Sequence, residues 1–274
     1  MATVTVDGVE LFWDELGSGE PILFHHGWTG SHDTYLELIA PLLADRYRCI
    51  VMDARGCGDS AHPDDGYNIA QYADDVIALA DAIGLDRFTF VGHSMGGGIG
   101  FQLGLTQAPR LDRLVLEASI PAAGIAGMDE DFAEMRERRL VPDAREQLLA
   151  ERKLMRLRVP EARLERGVDR GLSVSQRHYD DSWESMKQFD VSDRLDKLTT
   201  PTLVIAGAAD SLCADNVQDW LRLPNAALHV FSRVGHGVSS DVPEQYAEVI
   251  ADFMEHGVVN AQTQADKLEA ARAG

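Results

Sequence analysis

The sequence predicts an α/β architecture, a mostly parallel sheet covered by helices on both faces, and three observations predict it. Short β-prone runs alternate with stretches that carry apolar residues at helical spacing, and few tight hairpins interrupt them. One run, Arg87 to Val91, leads into Gly92-His93-Ser94-Met95-Gly96, a G-x-S-x-G turn from strand into helix. The alternation then breaks between Pro121 and Leu195, where helical spacing continues without a strong strand signal. That break divides the chain into a first core segment (1–120), an inserted helical lid (121–195) and a second core segment (196–274).

The first element is a hairpin, Thr3–Val6 and Val9–Trp13 about Asp7-Gly8, at an antiparallel edge. A buried strand over Pro21–His26 and a helix over Tyr35–Leu43 follow, then a strand over Tyr47–Met52 and a turn-rich loop from Asp53 to Ser60. Ile69–Ile83 suits an amphipathic helix. After the serine turn, Gly97–Gln107 is small and apolar, as a helix packed tightly on a sheet requires, and Leu114–Leu116 reads as a strand. In the lid segment Met128, Phe132, Met135, Leu148, Leu149, Leu154, Met155 and Leu157 recur at roughly helical spacing. The core resumes with strands at Pro201–Ala206 and Ala227–Phe231 and helices at Val217–Leu223 and Pro243–Glu255, ending in a polar frayed helix or tail.

Composition narrows the function. The 274 residues carry a net charge of −20, which repels phosphate backbones and anionic membranes and argues against nucleic-acid and membrane partners. The charge is uneven: residues 121–195 hold 14 of the 25 basic side chains and 16 of the 45 acidic ones, a net of −2. No apolar run approaches the ~20 residues that span a bilayer. The N-terminus does not read as a secretory signal, so a cytoplasmic location is expected. Cys49, Cys57 and Cys213 are odd in number and widely spaced, which predicts reduced thiols and no metal-binding pair.

A serine hydroxyl needs a base, and the base needs an orienting carboxylate. Asp210 lies just past one strand and His236 just past the next, and parallel strands deliver their carboxyl ends to one edge. Ser94, Asp210 and His236 are therefore the candidate nucleophile, acid and base. An oxyanion requires two donors, for which the backbone N–H groups of Met95 and Trp28 stand in position, Gly27 allowing close approach and the Trp28 indole lining the pocket. Phe132, Trp183 and Met186 are candidate pocket walls. Glu117, at a strand end, is a second candidate for the acid. His25 and His26 alternate along a strand and should face opposite ways, so no metal site is expected there. His93 is expected to pack beneath the turn, Asp53 and Arg55 to brace their loop, and the cysteines to pack without a base nearby.

With these motifs in view, the sequence resembles the α/β-hydrolase superfamily in its lid-bearing esterase, lactonase and C–C-hydrolase branch. The resemblance rests on His26-Gly27-Trp28, D-x-R-G-x-G-x-S at Asp53–Ser60, Gly92–Gly97, G-x-x-D at Gly207–Asp210 and Gly235-His236, and covers most of the chain outside the lid. It implies an eight-stranded, mostly parallel sheet, a Ser94–His236–Asp210 triad and no cofactor. Dehalogenases and epoxide hydrolases of this kind carry Asp where Ser94 stands, which disfavours those activities. The expected function is a cofactor-independent serine hydrolase acting on a small, mostly apolar ester or lactone. C–C bond hydrolysis and perhydrolysis are compatible with the same residues, as is a hydrolase-like receptor with little turnover.

Overall fold

The computed structural model describes residues 2–125, 127, 129–156 and 159–273; Met128 and Leu157 of the helical pattern lie outside them. The chain opens with a hairpin, β1 (Ala2–Val6) and β2 (Val9–Leu16). Asp7 and Gly8 both take positive φ, 48° and 83°, as a two-residue primed turn demands. β3 (Glu20–His25) leads to a wide π turn, Tyr35–Ile39, that runs into the short α1 (Ala40–Leu43). Then come β4 (Tyr47–Met52), α2 (Ile69–Ala82), β5 (Phe88–His93), α3 (Met95–Thr106) and β6 (Leu111–Glu117).

Four helices stand between β6 and the next strand: α4 (Asp129–Leu140), α5 (Ala144–Met155), α6 (Glu161–Ser173) and α7 (Gln176–Gln188). β7 (Thr202–Gly207), α8 (Cys213–Arg222), β8 (Ala226–Phe231), α9 (Val238–Asp241) and α10 (Pro243–His256) follow. The polar C-terminal stretch forms a last helix, α11 (Ala261–Ala273). No helix among the described residues is long and apolar enough to cross a membrane.

The strands form one eight-stranded sheet in the order β1-β2-β4-β3-β5-β6-β7-β8, antiparallel at β1–β2 and β2–β4 and parallel from β4 to β8. Period-two alternation assigns strand residues to opposite cores. Leu23, Ile50, Phe90, Leu116 and Val204 pack with α2 and α3 on one face. Phe24, Val51, Val91, Val115 and Ile205 pack with Tyr35, Ile39 and α10 on the other. Burying both faces is why these runs read as continuously apolar. The four inserted helices have a small core of their own, Leu149, Leu164 and Val168. Arg139 knits them together by donating to the carbonyls of Gly171, Leu172 and Val174 at the end of α6 and lying over the Tyr179 ring of α7.

α3 begins at Met95, two residues earlier than the small-residue run suggests, because Ser94 alone makes the turn from strand to helix. Two glycines permit this. A Cβ on Gly92 would sit 2.0 Å from the carbonyl oxygen of Gly96, and a Cβ on Gly96 would sit 2.7 Å from that of His25. Below the turn, the loop after β4 is braced from within. The Asp53 carboxylate accepts the backbone N–H of His32 (2.6 Å) and of Asp59 (2.8 Å) and pairs with the His32 ring (2.8 Å). Arg55 donates two bonds of 2.6 Å to Asp75 of α2. Both carboxylates are buried, so losing either partner would leave an uncompensated charge, at a cost of about 3–5 kcal/mol.

Two outcomes follow from this packing. Gly92→Ala should lower stability by about 3 kcal/mol or more, since the clash is with backbone that cannot swing aside, whereas Gly235→Ala, with open space about it, should be nearly neutral. Thermal denaturation reads the difference, and equal melting temperatures would contradict the close approach. Burial pushes the His32 imidazole down, but its hydrogen bond and charge contact with Asp53 outweigh that and hold it above 6.5. The stabilisation is therefore complete below pH 6.5 and fades as pH rises through the folded value. His32→Gln should shrink the loss of stability between pH 6 and pH 9; an unchanged loss would show that another group is responsible.

Candidate active site

Ser94 stands at φ 56° and ψ −114°, a backbone conformation that L-residues rarely adopt and that stores about 1–3 kcal/mol. Hydrogen bonds hold it there. Its N–H donates to the carbonyl of Glu117 (2.9 Å), and its own carbonyl accepts from Gly97 (2.9 Å) and Ile120 (3.1 Å). The residue is thus clamped between β6, α3 and the chain leaving β6.

The parallel register aligns the ends of β3 and β5 and of β7 and β8, His25 pairing with Gly92 and Gly207 with Phe231. Asp210 lies three residues past β7 and His236 five past β8. His236 Nε2 is 3.0 Å from Ser94 Oγ, and His236 Nδ1 is 2.9 Å from Asp210 Oδ2. The Asp210 side chain is 4% exposed and that of His236 42%. Burial pushes the Asp210 carboxyl up, but the bond from His236, its charge and the Leu212 N–H outweigh this, so it lies below the usual carboxylate value. An ionised Asp210 accepts Nδ1–H and so leaves the Nε2 lone pair towards the serine.

Glu117 does not reach His236. Its fully buried carboxylate accepts the Tyr35 hydroxyl (2.7 Å) and the backbone N–H of Ser239 (2.8 Å), anchoring the helix just beyond the histidine. His93 also departs from expectation. It lines the cleft beside the turn, and its Nε2 is 2.9 Å from the backbone carbonyl of His236. Burial first, then the nearby His236, lower its pKa against the pull of Glu117, so the ring is neutral and donates that bond. Sequence spacing gives no sign of this contact, which joins residues 143 apart.

Of the expected oxyanion donors, Met95 follows Ser94 directly and Trp28 follows Gly27. Met95 is the first residue of α3, where an N–H has no acceptor within the helix. Gly27 lies so close that a Cβ there would be 2.9 Å from the Ser94 Cβ, so Trp28 follows a residue that abuts the serine. His26 fixes this segment, its Nδ1 2.7 Å from the Gly27 carbonyl and its Nε2 accepting the Ala54 N–H at 3.0 Å. The two adjacent histidines do not face opposite ways. β3 ends at His25, the pleat is lost, and the rings stack with centroids 5.1 Å apart. Burial above all pushes His25 down to about 3, so it is neutral.

A cleft of about 380 Å³ opens beside this site, lined by His26, Trp28, His93, Gly237 and residues of α5 and α6 among others. The expected wall residues are elsewhere. Phe132, Trp183 and Met186 do not line that cleft; Trp183 and Met186 are buried in the core, with Phe132 packed against it. Phe132 and Trp183 stack at 4.8 Å, and Trp183 and Tyr179 lie 4.9 and 4.3 Å from the Trp28 ring. Their helical spacing reports burial but cannot distinguish a core from a wall. Cys57 also has a neighbour that its own surroundings in sequence do not announce: His178 Nε2, 3.3 Å away. Burial pushes the thiol well up and the imidazole down to about 3, so the pair is neutral and the thiol unactivated.

Among the described residues, His32, Asp53 and Asp59 could present ligand atoms within 4.8 Å of one another. Their acceptors are already engaged, Asp53 by His32 and Asp59, and Asp59 by the Arg170 guanidinium at 2.6 Å.

Several known proteins resemble this chain. A non-heme haloperoxidase of Rhodococcus erythropolis is 29% identical over 251 residues, which is 85% of this chain and 91% of the relative. A bifunctional esterase/perhydrolase of Acinetobacter calcoaceticus is 38% identical over 96 residues, 34% of this chain and 35% of that protein. The solved structure of Est816, an N-acyl homoserine lactone degrading enzyme, matches at a TM-score of 0.75 with 28% identity, over 92% of this chain and 100% of that one. The sequence pattern of the alpha/beta hydrolase fold matches residues 20–241, from the start of β3 to the end of α9. Since that match takes in the serine turn and both loops that carry Asp210 and His236, the chain belongs to the alpha/beta hydrolase fold family.

Proposed function

We propose that the protein is a cofactor-independent serine hydrolase that cleaves a carboxylic ester or lactone through an acyl-enzyme. The observation that carries this reading is the continuous relay from Ser94 Oγ through the His236 ring to Asp210, with contacts of 3.0 and 2.9 Å. His236 Nε2 takes the hydroxyl proton as Ser94 Oγ attacks the acyl carbon, and Asp210 stabilises the imidazolium that forms. The N–H groups of Met95 and Trp28 receive the oxyanion. Collapse of the tetrahedral intermediate breaks the bond to the leaving alkoxide, which takes the proton from His236. Water, deprotonated by the same nitrogen, then attacks the acyl-enzyme and releases the acid and free Ser94. The helices between Glu117 and Thr202 act as the lid over this chemistry, and the lactone-degrading and esterase relatives support the choice of acyl substrate.

Perhydrolysis is a second reading, favoured by the esterase/perhydrolase relative. Hydrogen peroxide would replace water in the second half-reaction, giving a peracid and the same free serine.

Ser94→Ala should reduce hydrolysis of 4-nitrophenyl esters by about 10³-fold or more while leaving the melting temperature within a few degrees. A fluorophosphonate should modify Ser94 stoichiometrically and react far more slowly after His236→Ala. Unchanged turnover in the first variant, or labelling at another residue, would overturn the assignment.

A further inference from the structure

The cleft beside Ser94 takes an unusual share of its lining from arginine: Arg152, Arg156, Arg163, Arg166 and Arg170. In a chain with net charge −20, these five cations line a cleft whose Gly27 and His93 adjoin the candidate nucleophile. Four of the five are met by carboxylates. Arg156 bonds Asp241 at 2.8 Å, Arg163 and Arg166 both reach Glu37, and Arg170 bonds Asp59 and Asp33. Arg152 differs, having neither a carboxylate nor a hydrogen-bond acceptor among the described residues.

Its placement is specific. α6 presents Gly167 and Gly171 one helical turn apart, and the Arg152 guanidinium lies over them. A Cβ on Gly167 would be 2.8 Å from Nη1, and one on Gly171 would be 3.9 Å from Nη2 and 3.7 Å from Thr29 Oγ1. The guanidinium therefore sits between α6 and the loop whose Gly27 abuts Ser94. Arg152 is an exposed residue of the cleft lining, where partial desolvation of its guanidinium against α6 and then the like charge of Arg156 lower its pKa. The acidic residue of the lining, Asp33, is already held by Ser31 (2.8 Å) and Arg170 (3.2 Å), so it does not supply the missing counter-charge.

We propose that the cleft binds an anionic group of the substrate, with Arg152 as its principal donor and Ser94 attacking an acyl carbon on the same molecule. The substrate class is then an ester or lactone that also bears a carboxylate or phosphate, in place of the mostly apolar molecule expected from the sequence. The catalytic half of this statement rests on the serine-hydrolase reading above; the anion site does not.

The test compares 4-nitrophenyl acetate with the 4-nitrophenyl monoester of succinic acid. In the wild type the charged ester should have the lower KM. Arg152→Gln should reduce the ratio of kcat/KM, charged over neutral, by about tenfold or more, and Arg152→Lys should recover part of it. Arg145→Gln, which alters an arginine paired with Asp169 outside the cleft, should leave that ratio as it is. Calorimetric titration of Ser94→Ala with glutarate and with inorganic phosphate reads the anion site without catalysis. Binding of either that is lost on adding Arg152→Gln supports the proposal and identifies which anion fits. If neither ester turns over but such binding is seen, the hydrolase reading fails and the anion site stands. An unchanged ratio in Arg152→Gln, or no Arg152-dependent binding of either anion, would overturn it.

Discussion

The structure depends on one backbone constraint, the left-handed turn at Ser94 between β5 and α3. A serine there is strained, and it persists because the carbonyl of Glu117 and the N–H groups of Gly97 and Ile120 fix the peptide on both sides. Close packing makes this possible, since Gly92 and Gly96 bring the turn against α3 and β3 where no side chain could fit. The same closeness sets Gly27 against Ser94 and the start of α3 directly behind it. The hydroxyl, the N–H of Met95 and the loop bearing Trp28 are thus brought together by one bend of the chain.

The neighbouring groups keep that geometry from relaxing. Glu117 ties β6 to Tyr35 on one core and to Ser239 beyond His236. Neutral His93 holds the backbone of His236 from the other side. The imidazole that faces Ser94 is therefore located by its main chain as well as by Asp210, an arrangement suited to a base that must return its proton to the same place. On the proposed reading, binding energy need not be used to assemble these groups when substrate arrives.

Much of this is legible in the sequence because local rules and topology agree. Asp7-Gly8 names its own hairpin, and the apolar runs of β3, β4 and β7 coincide with the strands to within a residue. Parallel order alone is enough to bring the loops bearing Asp210 and His236 to the edge where Ser94 stands. What is not legible is long-range side-chain placement. Nothing local distinguishes Trp183 in a core from Trp183 in a pocket wall, and nothing near Cys57 announces His178 from an inserted helix. The stacking of His25 and His26 depends on the strand ending between them, a boundary that periodicity places only to within a residue or two. The uneven charge of residues 121–195 is visible at once, yet only the folded chain shows that five of those arginines meet at one cleft.

If acyl transfer passes through Ser94, a covalent adduct forms on that side chain during turnover. Rapid quenching of the protein with excess 4-nitrophenyl ester, followed by intact-mass and peptide analysis, tests it most directly. A burst of nitrophenol approaching one equivalent is expected, with an acyl group on the peptide that contains Ser94 that is absent from Ser94→Ala. Turnover with no covalent adduct at any time, or an adduct on Cys57 or another side chain, would contradict it.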